Sequence, residues 1–174
     1  VGIDELSATG TASASVFLRG DNTWAEAGDN FGSALFQVRD EQTSGTAAQS
    51  LSSGSWTKRD LNTVKTNEIT GVSVSSSTMT IPAGSFWAAC TANTEQVGLN
   101  KIRLQNTTDG TTLIVGMNAS AGTGIGQAVL YGRFTLSGSK SIELQHYVQT
   151  TNPGGAAVSA SVVEVYSDVR IWKI

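Results

Sequence analysis

The sequence predicts an all-β fold in which two antiparallel sheets pack as a sandwich. Three observations carry this. Apolar and polar residues alternate with period two in about eight segments after residue 33. Charged residues make up only 14% of the 174-residue chain, and Ser, Thr, Gly, Asn and Ala replace them, a composition suited to short strands and tight turns rather than long surface helices. No segment keeps a helical period beyond a turn or two.

Along the chain, residues 1–32 form one region, rich in small residues, with few apolar anchors: Ile3, Leu6, Val16, Phe17, Leu18, Trp24 and Phe31. Gly and Asp-Asn supply turn chemistry near Gly28–Gly32, so residues 33–174 are read as a second region. There Ala34 to Asp40 sets Leu35 opposite Phe36 and Val38. Residues 42–67 hold either a strand or mostly loop. Ser77 to Ile81 aligns Met79 with Ile81 and stops at Pro82-Ala83-Gly84. Ser85 to Asn93 places Phe86, Ala88, Cys90 and Ala92 on one side. Leu99 to Asn106 turns Ile102 and Leu104 inward, and Asp109-Gly110 predicts a hairpin to Thr111–Met117, because Gly accepts a positive φ. Gln127 to Leu136, Ser141 to Thr150 and Val158 to Ile174 complete the set, the last expected to bulge near Ser167-Asp168.

Several function classes are excluded at this level. The net charge is −3 and the basic residues are scattered, so there is no electrostatic footprint for nucleic acid. No apolar run is long enough for a membrane helix, and residues 1–29 lack the pattern of a signal peptide. The chain starts at Val1 rather than Met, which predicts a longer parent chain. Cys90 has no partner for a disulfide and sits in an apolar run, the place of a small core residue. The single histidine, His146, lies on the aliphatic face of its strand beside Leu144 and Val148, as a core or interface side chain would. No spacing selects a catalytic pair among the carboxylates, and the glycines of 122–126 lack the helix and lysine of a phosphate loop. No enzymatic activity and no cofactor are expected. A calcium ion held by loop side chains such as Asp29 and Asn30 is the one alternative kept open, and no metal is otherwise assigned.

What remains is binding. On the late strands the face opposite the aliphatic one carries Tyr131, Tyr147, Tyr166 and Trp172, mixed with Arg133, Glu143, Glu164, Asp168 and Arg170. A sandwich buries one face of each sheet, so a second aromatic face reads as a subunit interface, with Tyr131, Arg133, Tyr147, Tyr166 and Trp172 as its members. Trp56 in its polar stretch, Trp87 and Asn152 are the candidates for ligand binding, with Trp56 suited to stacking on a sugar.

Two stretches resemble known families. Thr9 to Ala25 contains Gly-Thr-x-Ser-x-x-x-Phe-Leu-Arg-Gly-Asp-x-Thr-Trp, which resembles the shafts and linkers of bacteriophage tail fibres. Small residues there allow three chains to approach an axis closely, with Phe17, Leu18 and Trp24 as the packing side chains; the Arg19-Gly20-Asp21 tripeptide reads as part of this pattern rather than a cell-adhesion signal. Residues 33–174 resemble the trimeric jelly roll of the complement globular head and tumour necrosis factor superfamily, as found at phage fibre tips. The strand count, Gly132-Arg133-Phe134, the final Val169–Ile174 strand and the hairpin from Lys101 to Gly110 carry that likeness. Together they imply a homotrimeric jelly-roll head on a short fibre-shaft segment. They further imply a place in the virion, contact with other virion proteins through the N-terminal segment, and adhesion to a host surface glycan or protein. A capsid or neck decoration with a mainly structural role, and a secreted lectin-like domain without a virus, are the alternative readings.

Overall fold

The structure, a computed structural model, describes residues 16–18, 24–26 and 34–174. Its internal contacts define two compact units, Val1–Phe31 and Gly32–Ile174. In the first, β1 (Val16–Leu18) and β2 (Trp24–Glu26) pair antiparallel, with Leu18 opposite Trp24 and both half-buried. Phe17 stands opposite Ala25 in the same ladder. Arg19-Gly20-Asp21 and the Asp29-Asn30 pair lie outside the described residues.

The second unit begins with β3 (Ala34–Gln42), β4 (Ser50–Leu51), β5 (Trp56–Lys58), β6 (Thr63–Asn67), β7 (Ser73–Ser75) and β8 (Thr78–Ile81). It continues with β9 (Gly84–Glu95), β10 (Gly98–Asn106), β11 (Thr111–Val115), β12 (Ala119–Ala121) and β13 (Ile125–Leu136). The last strands are β14 (Lys140–Val148), β15 (Asn152–Pro153) and β16 (Glu164–Lys173). Residues 42–67, ambiguous in the sequence, thus contribute three short strands. The described residues contain no helix, and so none long and apolar enough to cross a membrane.

Two sheets face each other. One has five strands in the order β13-β9-β16-β3-β6; the other has seven, β11-β10-β14-β8-β7, with β12 on β10 and β5 on β14. Every ladder between the strands is antiparallel, and the chain crosses from sheet to sheet at β5–β6, β6–β7, β8–β9, β9–β10, β12–β13 and β13–β14. The inward residues follow the period-two pattern of the sequence. Phe36, Val38, Phe86, Ala88, Cys90, Leu130, Phe134, Val169 and Ile171 meet Met79, Ile81, Ile102, Leu104, Ile142 and Leu144. Phe86 stacks on Phe134 with centroids 5.2 Å apart. Burial pushes the Cys90 thiol far up, so it is an inert core residue.

At the β12 edge the sheets are stitched together. The Gly116 N–H donates to Ile102 of the seven-stranded sheet at 2.8 Å, and the Met117 N–H to Val129 of the five-stranded sheet at 3.1 Å. Some polar groups are also interior. Arg59 directly follows β5, and its side chain is fully buried. Its Nε donates to Ser167 Oγ (2.9 Å), and Nη2 donates to the carbonyls of Gly154 (3.1 Å) and Tyr166 (3.2 Å). Buried Asp40 lies within its field and accepts from Gln42 Nε2 at 2.8 Å.

Strand β16 contains the expected bulge. Val165 pairs with Glu41 and Ser167 with the adjacent Asp40, so Tyr166 is an extra residue. The shift reverses side-chain parity, and Glu164 and Tyr166 become buried instead of sharing the outer face with Asp168 and Trp172. Glu164 then caps a loop. Its carboxylate accepts from the backbone N–H groups of Gly45 (3.1 Å), Ser159 (2.7 Å) and Val158 (3.1 Å), which hold its pKa below the usual carboxylate value. A depressed folded pKa stabilises above the unfolded value, here 4.5, and that contribution disappears as pH falls through the folded pKa. Amide-exchange protection of Gly45, Val158 and Ser159, relative to core strands, is therefore expected to be retained at pH ~6 and to weaken as the pH is lowered progressively below 4.5. Protection that stays level down to acid unfolding would remove Glu164 as the cap.

Candidate functional site

Alternation along a strand says which residues share a side. It does not say which sheet the strand joins. The structure resolves this for the candidate residues and divides them between two surfaces.

The first surface is the outer face of the five-stranded sheet. Register aligns Arg133, Trp87, Trp172 and Leu35 in one row across β13, β9, β16 and β3. The next row is Tyr131, Ala89, Arg170 and Gln37, and a third is Val129, Thr91, Asp168 and Arg39. Tyr131 is 60% exposed and Arg133 exposed, while Trp87 and Trp172 are half-buried. Beside Tyr131 the short side chains of Ala89 and Thr91 leave a hollow of about 260 Å³. Several charges on this face are paired with one another, while the exposed Arg133 makes no ion pair among the described residues. Asp168 accepts from Gln37 Nε2 (2.9 Å) and forms ion pairs with Arg39 (3.3 Å) and Arg170 (2.8 Å).

Two of the predicted interface residues are not here. Tyr166 is buried within its own chain by the bulge, and its hydroxyl donates to the Thr46 carbonyl at 2.7 Å. Tyr147 belongs to β14 of the seven-stranded sheet, on the opposite side of the molecule's core. Trp87, grouped by the sequence with the ligand candidates, instead sits beside Arg133 and Trp172.

The second surface is the outer face of the seven-stranded sheet. Trp56 of β5 pairs across to Tyr147 of β14, and Tyr147 to Lys101 of β10. The two rings lie 5.6 Å apart and tilted by 60°. Arg103 places its guanidinium carbon 4.2 Å from the Trp56 ring centroid, a cation–π contact. Arg103 is itself fixed: Nε and Nη2 donate to Gln145 Oε1 at 3.0 and 2.8 Å, and Nη1 to Thr112 Oγ1 at 3.3 Å. Below Tyr147 the face opens into a groove of about 570 Å³, lined by Trp56, Tyr147, Leu99, Lys101, Asn118 and Gln149. This lies within the roughly 300–1,000 Å³ of small-ligand clefts. Asn152 stands apart from it, in the short β15–β4 ladder opposite Leu51.

The sequence picks out Trp56 but misses Leu99, Lys101, Asn118 and Gln149. Their available signal is an outward position on a strand or loop, shared with most of the surface.

His146 is fully buried, and its Nε2 lies 3.1 Å from Asn100 Oδ1. Burial and the Arg59 charge push its pKa down to about 3, so it stays neutral at physiological pH. Among the described residues, no three His, Cys, Asp or Glu side chains come together as a metal site.

No protein-family model matches the chain, and no curated protein does. Solved structures do match. Murine APRIL superposes with a TM-score of 0.54 at 9% identity, over 81% of this chain and 98% of that one. The globular domain of zebrafish complement 1qA gives 0.50 at 13% identity, over 81% and 96%. The likeness concerns fold, and with the strand order above it makes this chain an antiparallel jelly-roll β-sandwich similar in architecture to those two proteins.

Proposed function

We propose that this chain is one third of a homotrimeric, non-enzymatic binding head at the end of a virion fibre. The five-stranded sheets turn toward the three-fold axis, and the seven-stranded sheets face outward to the host surface. One observation carries the reading: the exposed aromatics divide between the two sheets. Tyr131, Trp87 and Trp172 lie on one face, where Asp168 pairs with Arg39 and Arg170, and Trp56 and Tyr147 flank a groove on the other sheet. A face with aromatic groups and mostly paired charge suits burial between copies, because few charges have to be desolvated without a partner. The jelly-roll fold and the fibre-like Gly10–Trp24 pattern support the same reading. Residues 1–32, with Phe17, Leu18 and Trp24 as packing side chains, would join the head to other virion proteins. Three weak sites on one head engage a repetitive glycan or protein surface with avidity.

Sedimentation equilibrium tests the assembly. The wild-type chain is expected at three times its 18.1 kDa mass. Tyr131→Glu and, independently, Ala89→Arg are each expected to weaken association by about 2 kcal/mol or more, giving folded single chains. A wild-type protein that stays at 18.1 kDa would remove the trimer. Tyr166→Glu is no test of assembly, because that ring is buried and the change would act on folding. Adhesion is tested by whether the purified head competes with particle adsorption to host cells.

A further inference from the structure

We infer that the Trp56–Tyr147 groove is a saccharide site that selects an acidic sugar residue. The inference rests on the reading of the chain as a surface-binding head, and adds the place of contact and the charge of the ligand.

The walls favour a sugar over a peptide. The groove lies on the face of β14, which is hydrogen-bonded to β5 on one side and β10 on the other at this point. β14 therefore has no open backbone edge there, and β5, whose outer edge has no strand partner among the described residues, is only three residues long, so recognition rests mainly on side chains. What the side chains offer is two tilted aromatic rings, Leu99 at 62% exposure and a rim of amides. A pyranose has the complementary pattern, an apolar C–H face bordered by hydroxyls.

The rings are held in place before any ligand arrives. Arg103 covers one side of the Trp56 indole and is itself fixed by Gln145 and Thr112. A platform fixed in advance loses little side-chain freedom on binding. Arg103 thus acts as a positioning residue for Trp56.

The charge selection comes from Lys101. The chain carries a net −3, yet no carboxylate lines the groove. Lys58, Lys65, Lys140, Arg39 and Arg170 make ion pairs with acids; Lys101, Arg59, Arg103, Arg133 and Lys173 make none among the described residues, and of these five Lys101 is the one that lines the groove. Its neighbours add donors. Gln149 uses Oε1 to accept from the Leu99 N–H at 3.1 Å, which leaves its amide N–H₂ for a ligand. Asn118 is exposed at the rim. An unpaired ammonium with amide donors beside stacking rings is complementary to a carboxylate on a sugar ring.

The test uses the trimeric head with trigalacturonate, an α2,8-linked sialic acid trimer and a hyaluronan tetrasaccharide as acidic probes. Methyl-esterified trigalacturonate and maltotriose are the neutral ones. Titration calorimetry is expected to show at least one acid binding at about 1 mM or tighter, a range normal for single weak sites. Lys101→Gln should weaken that acid about tenfold, the worth of one charge-assisted contact, and leave the neutral probes unchanged. Trp56→Ala should abolish binding of acids and neutrals alike, with sedimentation mass unaltered. Neutral probes binding as tightly as acids, an acid affinity indifferent to Lys101→Gln, or no binding by any acid would each overturn the inference. Cell adhesion unaffected by Trp56→Ala would discard the groove and leave the adhesion reading standing. A head that binds no cells but binds acids through Lys101 would do the reverse.

Discussion

Arg59→Met is expected to destabilise the head by about 3–5 kcal/mol, the usual loss when one member of a buried charged group is removed. Methionine keeps only the apolar stem of the side chain, so the space of the guanidinium is vacated and its donors are lost. The larger part is the loss of donors. The carbonyls of Gly154 and Tyr166 and the hydroxyl of Ser167 would each lose a partner in the interior. Asp40, also fully buried, would lose the nearby cation that offsets part of its desolvation. Burial already raises the Asp40 pKa, and removing Arg59 raises it further. A carboxyl whose folded pKa lies above the unfolded one contributes stability at low pH and loses it as pH rises. The deficit of the variant should therefore shrink on going from pH 7 to pH ~4, and the double variant Arg59→Met/Asp40→Asn should lose less than the two single losses together. Urea unfolding measures all three. A loss below about 1 kcal/mol would mean that water replaces the guanidinium without cost.

Gly116→Ala is expected to cost about 3 kcal/mol, the upper part of the range for inserting a methyl group into packed structure. A Cβ at Gly116 would lie 2.7 Å from the Val129 carbonyl oxygen and 2.9 Å from that of Ile102. Both neighbours are backbone, one in each sheet, and neither has a flexible end that swings aside. Both oxygens also accept the hydrogen bonds that stitch the sheets together at this edge. Relieving the clash stretches the seam itself. Thermal unfolding should fall well below that of Gly122→Ala, a control whose Cβ meets nothing. Equal melting of the two variants would show that the seam yields cheaply.

The long strands were legible because burial on one face imposes a period of two, which β9, β13 and β14 keep throughout and β10 keeps as far as Leu104. Tyr166 was misplaced although a bulge was expected nearby. One extra residue inverts every side chain before it, and the strand pattern was carried across it. Tyr147 and Tyr131 looked alike because alternation is a property of one strand, and their separation depends on which sheet each strand enters. Trp56 stood out as a large aromatic among polar residues. Its neighbours Leu99, Lys101 and Gln149 did not, since only the pairing of β5 with β14 and β14 with β10 brings them to it. The short strands within residues 42–67 carry too few residues for a period to show.

The position of β16 has a consequence for synthesis. This strand lies between β9 and β3, so two of the five-stranded sheet's four ladders need a segment made after the other described strands. While Glu164–Lys173 is still inside the ribosome, β3 and β9 have no partner on that side and both present bare edges. Folding of the head, and any joining of copies through that sheet, must wait for release of those residues, so polysomes crowded with unfinished chains are where this protein is most exposed to aggregation.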